Sequence, residues 1–432
     1  MPVRMPDECR RNGRCVIVWR SEANELSAIR SAVACFRLAV ATPSPIHSPR
    51  ELAMLIRLSA TLIIMACFGA SASSDDTAFE SLFNGKNLDG WVRVNTAPST
   101  WTVKDGLLVC SGKPIGELRT TRMYHNFVME VEWRHMKPKG NAGIFVWADD
   151  ITARGVPFHR SIEVQVLENA YGNSRGHTTH GDIFPIHGAK MEPINGRGGS
   201  RAFPTEERSK PSPEWNHYRI ECWQGQISLA VNGKVVTRGK RCSPSKGYIC
   251  LESEGGIVHY RNLKIKELPE TAVKDEHVAV ANRGYRSIYS GVDLSGWKTA
   301  GTDKWKVNDW VLSYTGSDAV DSLLTTEQEF GDFGFVVDVR RKAESGPAEI
   351  RLRGSSDVHI GLKPDDPAYK DLFSKTGWNR FEGTLQGTRL NVTLNGMTVI
   401  ERDYDDIPAS GPLQLSPSGP INFANLYIRE LK

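Results

Sequence analysis

The chain repeats itself, and that constrains its fold more than any other feature. FESLFNGKNLDGWVR, from Phe79, reads in the same order as YRSIYSGVDLSGWKT, from Tyr285. Each is followed by a Trp strand and a turn, WTVKDGLLVCSG from Trp101 and WKVNDWVLSYTG from Trp305. LRTTRMYHNFVMEVEWR then answers LLTTEQEFGDFGFVVDVRR, and WNHYRIECWQGQISLAVNGKVV answers WNRFEGTLQGTRLNVTLNGMTV. The closing YRNLKIKEL answers FANLYIREL. So many ordered matches point to a duplication.

The repeated pattern is short strands and tight turns. Phe127, Met129, Val131 and Trp133 alternate with Val128, Glu130, Glu132 and Arg134, which is the period of a strand. Ile227, Leu229 and Val231 do the same, and Asn232-Gly233 then supplies a two-residue hairpin turn. Asn-Gly recurs at Asn84-Gly85 and Asn395-Gly396. No amphipathic helical period of useful length follows the first 72 residues. The expectation is an all-β protein of two tandem β-sandwiches, 79–268 and 285–432, joined by a polar linker at 269–284. Trp91 and Trp101 are repeated as Trp297 and Trp305, so they read as frame.

Charge excludes one class of partner. The net charge is +4 with both signs interspersed, and no basic block or basic-aromatic stripe occurs, so nucleic acid is not an expected partner. The stretch 54–72 has the parts of an export signal: Arg57, the apolar run Leu58 to Phe68, then Ala70-Ser71-Ala72. That run is too short to span a bilayer, so no membrane span is expected in the mature chain. Residues 1–53 ahead of it read as a misassigned or disordered extension, with Met54 as the expected start. Ile64-Met65-Ala66-Cys67 resembles a lipoprotein box, which would put a lipid anchor on Cys67. The expected location is exported: periplasmic, outer-membrane-associated or extracellular. Of the cysteines beyond the signal, Cys242 and Cys250 flank a turn and are the pair best placed for a disulfide. The alternative is that they, Cys110 and Cys222 are small core residues.

The two halves differ chiefly between Ala148 and Pro213, where the first carries a long Gly- and Pro-rich insertion. It opens on the strand Ser161 to Leu167. There Ile162, Val164 and Val166 take one face, and Ser161, Glu163, Gln165 and Leu167 the other. It goes on through HTTHGDIFPIH, which holds His177, His180 and His187. Imidazoles change charge near neutral pH, so His180 and His187 are candidate proton carriers beside Glu163. His177, His180 and Glu163 are a candidate set for one divalent ion, although loop spacing is not diagnostic. No organic cofactor is expected. Gln165, Asn141, Trp147, Arg160 and Asp182 are candidate sugar contacts. For Trp147 and Trp223 the competing reading is plain core. Asp357 and His359 stand in the second half where the Glu163 strand stands in the first.

LFNGKNLDGW, WTVKDGLLV, GNAGIFVW, EVQVLEN, WNHYRI, LAVNGK and YRNLKIKEL together resemble the 3-keto-disaccharide hydrolase domain family. The resemblance covers Phe79 to Leu268 and reaches the second half only in its frame. It implies a concanavalin A-like jelly-roll sandwich, a carbohydrate partner, and cleavage of 3-oxo glycosides by proton abstraction, elimination and hydration. A 3-oxo group acidifies the hydrogen on carbon 2, so the route needs a base, an enolate-stabilising group and an acid. The family's Asn-Ser-Gly and later Arg are here Asn141-Ala142-Gly143 and Trp147, and Glu168 replaces its Asp. The rival expectation is a non-catalytic carbohydrate-binding or adhesion protein. The enzyme reading expects Glu163 within about 4 Å of His180 or His187.

Overall fold

The computed structural model describes residues 78–281, 283–341, 346–363, 367 and 371–432. The stretches read above as extension and export signal, Cys67 included, lie outside the described residues. Among the described residues there is no α-helix, only short 3-10 turns at Asn169–Tyr171 and Asp275–His277. No helix there is long and apolar enough to cross a membrane.

Residues 80–267 form two facing antiparallel sheets. The larger has nine strands, with Phe127–His135 at its centre between Asn216–Trp223 and Val258–Glu267. The smaller has six, in the order Trp91–Val94, Gly116–Thr120, Tyr248–Ser253, Gly143–Ala148, Ser161–Gln165, Ile183–Ile186. Period-two alternation sorts their side chains. Met129, Val131 and Trp133 from the large sheet meet Leu118, Ile144, Val146, Ile162, Val164, Ile249 and Leu251 from the small one in a single core. Apolar burial of this kind contributes about 25 cal/mol per Å² removed from water. Glu117, Phe145, Glu163, Cys250 and Glu252 therefore point to the small sheet's other, outward face.

Residues 286–430 repeat the arrangement with eight and five strands. Tyr314, Phe335, Val337, Ile350, Phe381 and Leu415 lie in its core. The molecule is thus an all-β protein of two jelly-roll-like sandwiches.

The polar segment after Leu268 is not a free tether. Ala279 N–H donates to Lys246 O at 2.7 Å, and Asp150 N–H to Val280 O at 2.9 Å. Arg283 closes on Asp150 at 2.6 Å. Residues 149–158 of the first sandwich, which lead into the outward face of its small sheet, are also held by the second. Gly155 N–H donates to Asp338 Oδ2 at 2.7 Å, and Asn425 Nδ2 donates to Ala153 O at 3.1 Å and Val156 O at 3.0 Å. Asp338 is fully buried and takes a two-pronged Arg380 at 2.7 and 2.8 Å. Val94, Ile151, Tyr285, Val336 and Tyr427 fill the space between.

All four described cysteines are free and buried, so Cys242 and Cys250 are not a disulfide. Cys250 lies on the outward face among Phe145 and Tyr248, whereas Cys242 belongs to the core between the sheets.

Candidate active site

Three strands of the small sheet bring acids together on its outward face. Glu163 stands opposite Phe145, and Gln165 opposite Gly143. Glu252 stands opposite Glu117. Gly143 lies at the centre: a Cβ added there would sit 2.9 Å from Glu252 Oε2 and 3.0 Å from Glu163 Oε1. Its missing side chain is the room the two carboxylates occupy. Glu254, two residues along the same strand direction, accepts a short hydrogen bond from Asn141 Nδ2. Asn141 Oδ1 in turn accepts from Gln165 Nε2 at 3.0 Å.

Glu163 is 7% exposed, and among the described residues no side chain or backbone group hydrogen-bonds to its carboxylate. Burial, with Glu254 nearby, pushes its pKa up from 4.5 to about 8, against a partial pull downward from Arg201. Burial and the charges of Glu163 and Glu254 raise Glu252 well above the carboxylate range. Burial raises Glu254 as well. Like charges confined together cannot all ionise, so this face holds protons at neutral pH. A buried carboxylate without a partner is costly, and such groups concentrate where chemistry is done.

The structure assembles part of the expected constellation. Glu163, Gln165 and Asn141 share the face. Asp182 is close by but fully buried, and its oxygens are taken by Thr178 and by Arg201 at 2.9 Å. It holds Arg201, whose guanidinium lies 3.4 Å from the centre of the Phe184 ring, in place rather than offering a free acceptor.

His177 and His180 are elsewhere, which corrects the expectation that they accompany Glu163. His180 adopts φ 28° and turns into the core, where its ring packs 5.2 Å from Trp133 and neither nitrogen has a partner. Burial pushes its pKa down to about 4, so it stays neutral. His187 stays on the outward side of the small sheet, stacked at 6.4 Å on Phe158, which packs against Phe145. His177 is tied to Ser174 at 2.9 Å and to Gly172 O at 3.1 Å, on the loop's exterior. The proposed ion set of His177, His180 and Glu163 is therefore not formed: one member is outside, one in the core and one on the sheet face.

Trp147 is another correction. It is fully buried, donates Nε1–H to His125 O at 2.9 Å and packs edge-on to Phe127, so it cannot be a sugar platform. Arg160 forms a two-pronged pair with Asp149, both at 2.9 Å. Glu168 is a backbone cap, accepting from Lys139 and Ala170 at 2.8 Å and from Ser212 at 3.0 Å.

Glu117, Glu252 and Glu254 escaped the sequence reading. A signal existed: in Cys250-Leu-Glu-Ser-Glu254 the two acids are two residues apart, the spacing that puts both on one face of a strand. A second group on the same face was also missed. Glu117, His159 and Cys250 place ligand-type atoms within 4.8 Å of one another, all fully buried.

In the second sandwich the matching register carries none of these acids. Ile350 pairs with Leu415 as Ile144 pairs with Leu251. Leu323, His359, Ser416 and Ser418 thus stand where Glu117, Glu163, Glu252 and Glu254 stand in the first.

The sequence comparison supports a carbohydrate-active, hydrolase-like protein. Residues 78–266, which make up the first sandwich, match the family model of the 3-keto-alpha-glucoside-1,2-lyase-like domain. No curated protein matches the chain. Among solved structures, a protein from Parabacteroides distasonis ATCC 8503 inferred to be a glycosyl hydrolase is 21% identical. The alignment covers 46% of this chain and 98% of that one, with a TM-score of 0.35. The β-glucanase of Bacillus licheniformis is 12% identical over 44% of this chain and 97% of its own, at a TM-score of 0.31. The carbohydrate-binding module CBM66 of Bacillus subtilis is 11% identical over 41% and 96%, at 0.30. At these scores the likenesses carry no weight for what this chain does.

Proposed function

We propose that the first sandwich cleaves 3-oxo glycosides by elimination and hydration, with Glu163 as general base, and that it does so as an exported protein. The observation that carries this reading is the buried, unpartnered Glu163 carboxylate beside Glu252, both crowded over Gly143. A base for a carbon acid works best when its pKa lies near the working pH, and about 8 meets that condition. Glu163 takes the hydrogen from carbon 2, and the electron pair moves toward the 3-oxo oxygen. Collapse of that enolate breaks the bond from carbon 1 to the leaving oxygen, which receives a proton from Glu254 or from Glu252 through it. Water then adds across the resulting double bond with the same groups in reversed roles, giving net hydrolysis. Arg201, fixed by Asp182, supplies positive charge for the enolate. Asn141, steered by Gln165, orients Glu254.

The test is turnover of 3-oxo glycosides by the full chain and by Glu163→Gln, followed by release of the aglycone. Loss of at least about 100-fold in kcat with Gln is expected for a general base. Equal turnover removes Glu163 from the reaction. Saturable binding of 3-oxo glycosides without turnover would favour a carbohydrate-binding protein instead.

A further inference from the structure

We propose that Glu117, His159 and Cys250 form a site for a divalent transition-metal ion of the zinc class, distinct from the acid cluster around Glu163. A carboxylate, an imidazole and a thiol are the donors such an ion prefers. Here they come from three separate pieces of chain. Glu117 lies on the strand Gly116–Thr120, Cys250 on Tyr248–Ser253, and His159 in the segment entering Ser161–Gln165. The fold nonetheless converges their ligand atoms to within 4.8 Å. Cys250 Sγ is 3.8 Å from His159 Nδ1, close to the edge of a tetrahedron with zinc-like bond lengths. All three residues are completely buried.

The charge around the group is the second observation. Glu117, Glu163 and Glu252 are buried on one sheet face. Arg119 stands opposite Cys250 in the sheet, but its guanidinium is engaged elsewhere: it donates to Thr120 O at 3.0 Å and covers the Tyr248 ring at 4.1 Å. Arg201 is occupied by Asp182. A bound dication would take the place of protons among these crowded acids.

Without an ion, Glu117 accepts hydrogen bonds from His159 through both the backbone N–H, at 3.0 Å, and the ring Nδ1. Loading the ion exchanges the ring bond for coordination. The imidazole proton moves from Nδ1 to Nε2, the Nδ1 lone pair and the carboxylate turn to the metal, and the Cys250 thiol releases one proton to solvent. Nε2 is buried without a partner among the described residues. The tautomer change thus leaves one unpaired N–H, a small loss beside three metal–ligand bonds. Because the site has no exposed atom to receive an ion, loading accompanies folding. The ion would fasten the 149–160 segment to the sheet. The proposal does not depend on the sugar chemistry.

The full chain is unfolded and refolded with Co(II), and in parallel produced with Zn(II) in the medium and dialysed against chelator. One ion per chain is expected. The Co(II) form should show a thiolate-to-metal charge-transfer band and the intense visible bands of a four-coordinate centre. Cys250→Ser should lose the charge-transfer band while keeping its far-ultraviolet β-sheet spectrum, and Glu117→Gln should keep the band but release the ion to weaker chelators. Refolded wild-type chain with a native spectrum but metal content well under one ion per chain overturns the proposal. So does an unchanged band in Cys250→Ser.

Discussion

Replacing Glu163 with Gln should stabilise the fold above neutral pH while abolishing turnover. The folded state holds the Glu163 proton up to about pH 8, whereas an ordinary glutamate releases it near 4.5. Below the lower value both states are protonated and the group is neutral to stability. As pH rises from there, the unfolded chain ionises and the folded one does not, so stability falls by about 1.4 kcal/mol per pH unit until the folded group also ionises. The full interval corresponds to on the order of 5 kcal/mol. Glu252 and Glu254 share the protons of this face, so a difference of about 2 to 5 kcal/mol is expected between the two proteins at pH 9. Gln fills the same volume and carries no charge, so the variant lacks that loss. Urea unfolding of both proteins at pH 5, 7 and 9 reads it directly. The curves should nearly coincide at pH 5 and separate progressively, with Gln more stable. Coincidence at pH 9, or a less stable Gln variant there, would refute the reasoning.

Gly143→Ala puts a methyl group 2.9 Å from Glu252 Oε2 and 3.0 Å from Glu163 Oε1, so kcat on 3-oxo glycosides should fall at least about tenfold by displacement of the base. Steady-state kinetics checks it. Arg201→Met removes the cation that lowers the Glu163 pKa, so the rising limb of kcat/KM against pH should move to higher pH. Asp338→Ala strands the nearly buried Arg380 and removes the Gly155 contact, so it should cost about 3–5 kcal/mol in urea unfolding. Trp147→Phe leaves the His125 carbonyl without its donor, so stability should drop by about 1–3 kcal/mol. Its effect on KM should be no larger than that of a substitution elsewhere in the core.

The strand phase was legible because period two has only two outcomes. Ile162, Val164 and Val166 had to go inward, which sent Glu163 and Gln165 outward. The histidines had no such rule. HTTHGDIFPIH is loop and strand edge, and a φ of 28° at His180 was enough to turn that ring inward against Trp133. Clustering in sequence thus gave no clustering in space. Glu117 and Glu252 were hidden for the opposite reason. Tyr248–Ser253 inserts between Gly116–Thr120 and Gly143–Ala148, strands far earlier in the chain, and no local period reports that neighbour. The internal comparison held a usable signal: Leu323, His359, Ser416 and Ser418 mark by contrast the four positions where the first half keeps an acid. Trp147 failed as a candidate because a buried indole and an exposed platform look alike in sequence until the fold supplies the side it faces.

The grip of Asp338 and Asn425 on residues 153–156 has a consequence for how the two halves persist together. A chain cut after Leu268 would leave the Ala153 and Val156 carbonyls to find other donors. It would also uncover Val94 and Ile151, inviting self-association. The half without the acids is therefore not dispensable ballast: any lineage that shed it would have to rebuild the wall against which the other half's outward face is closed.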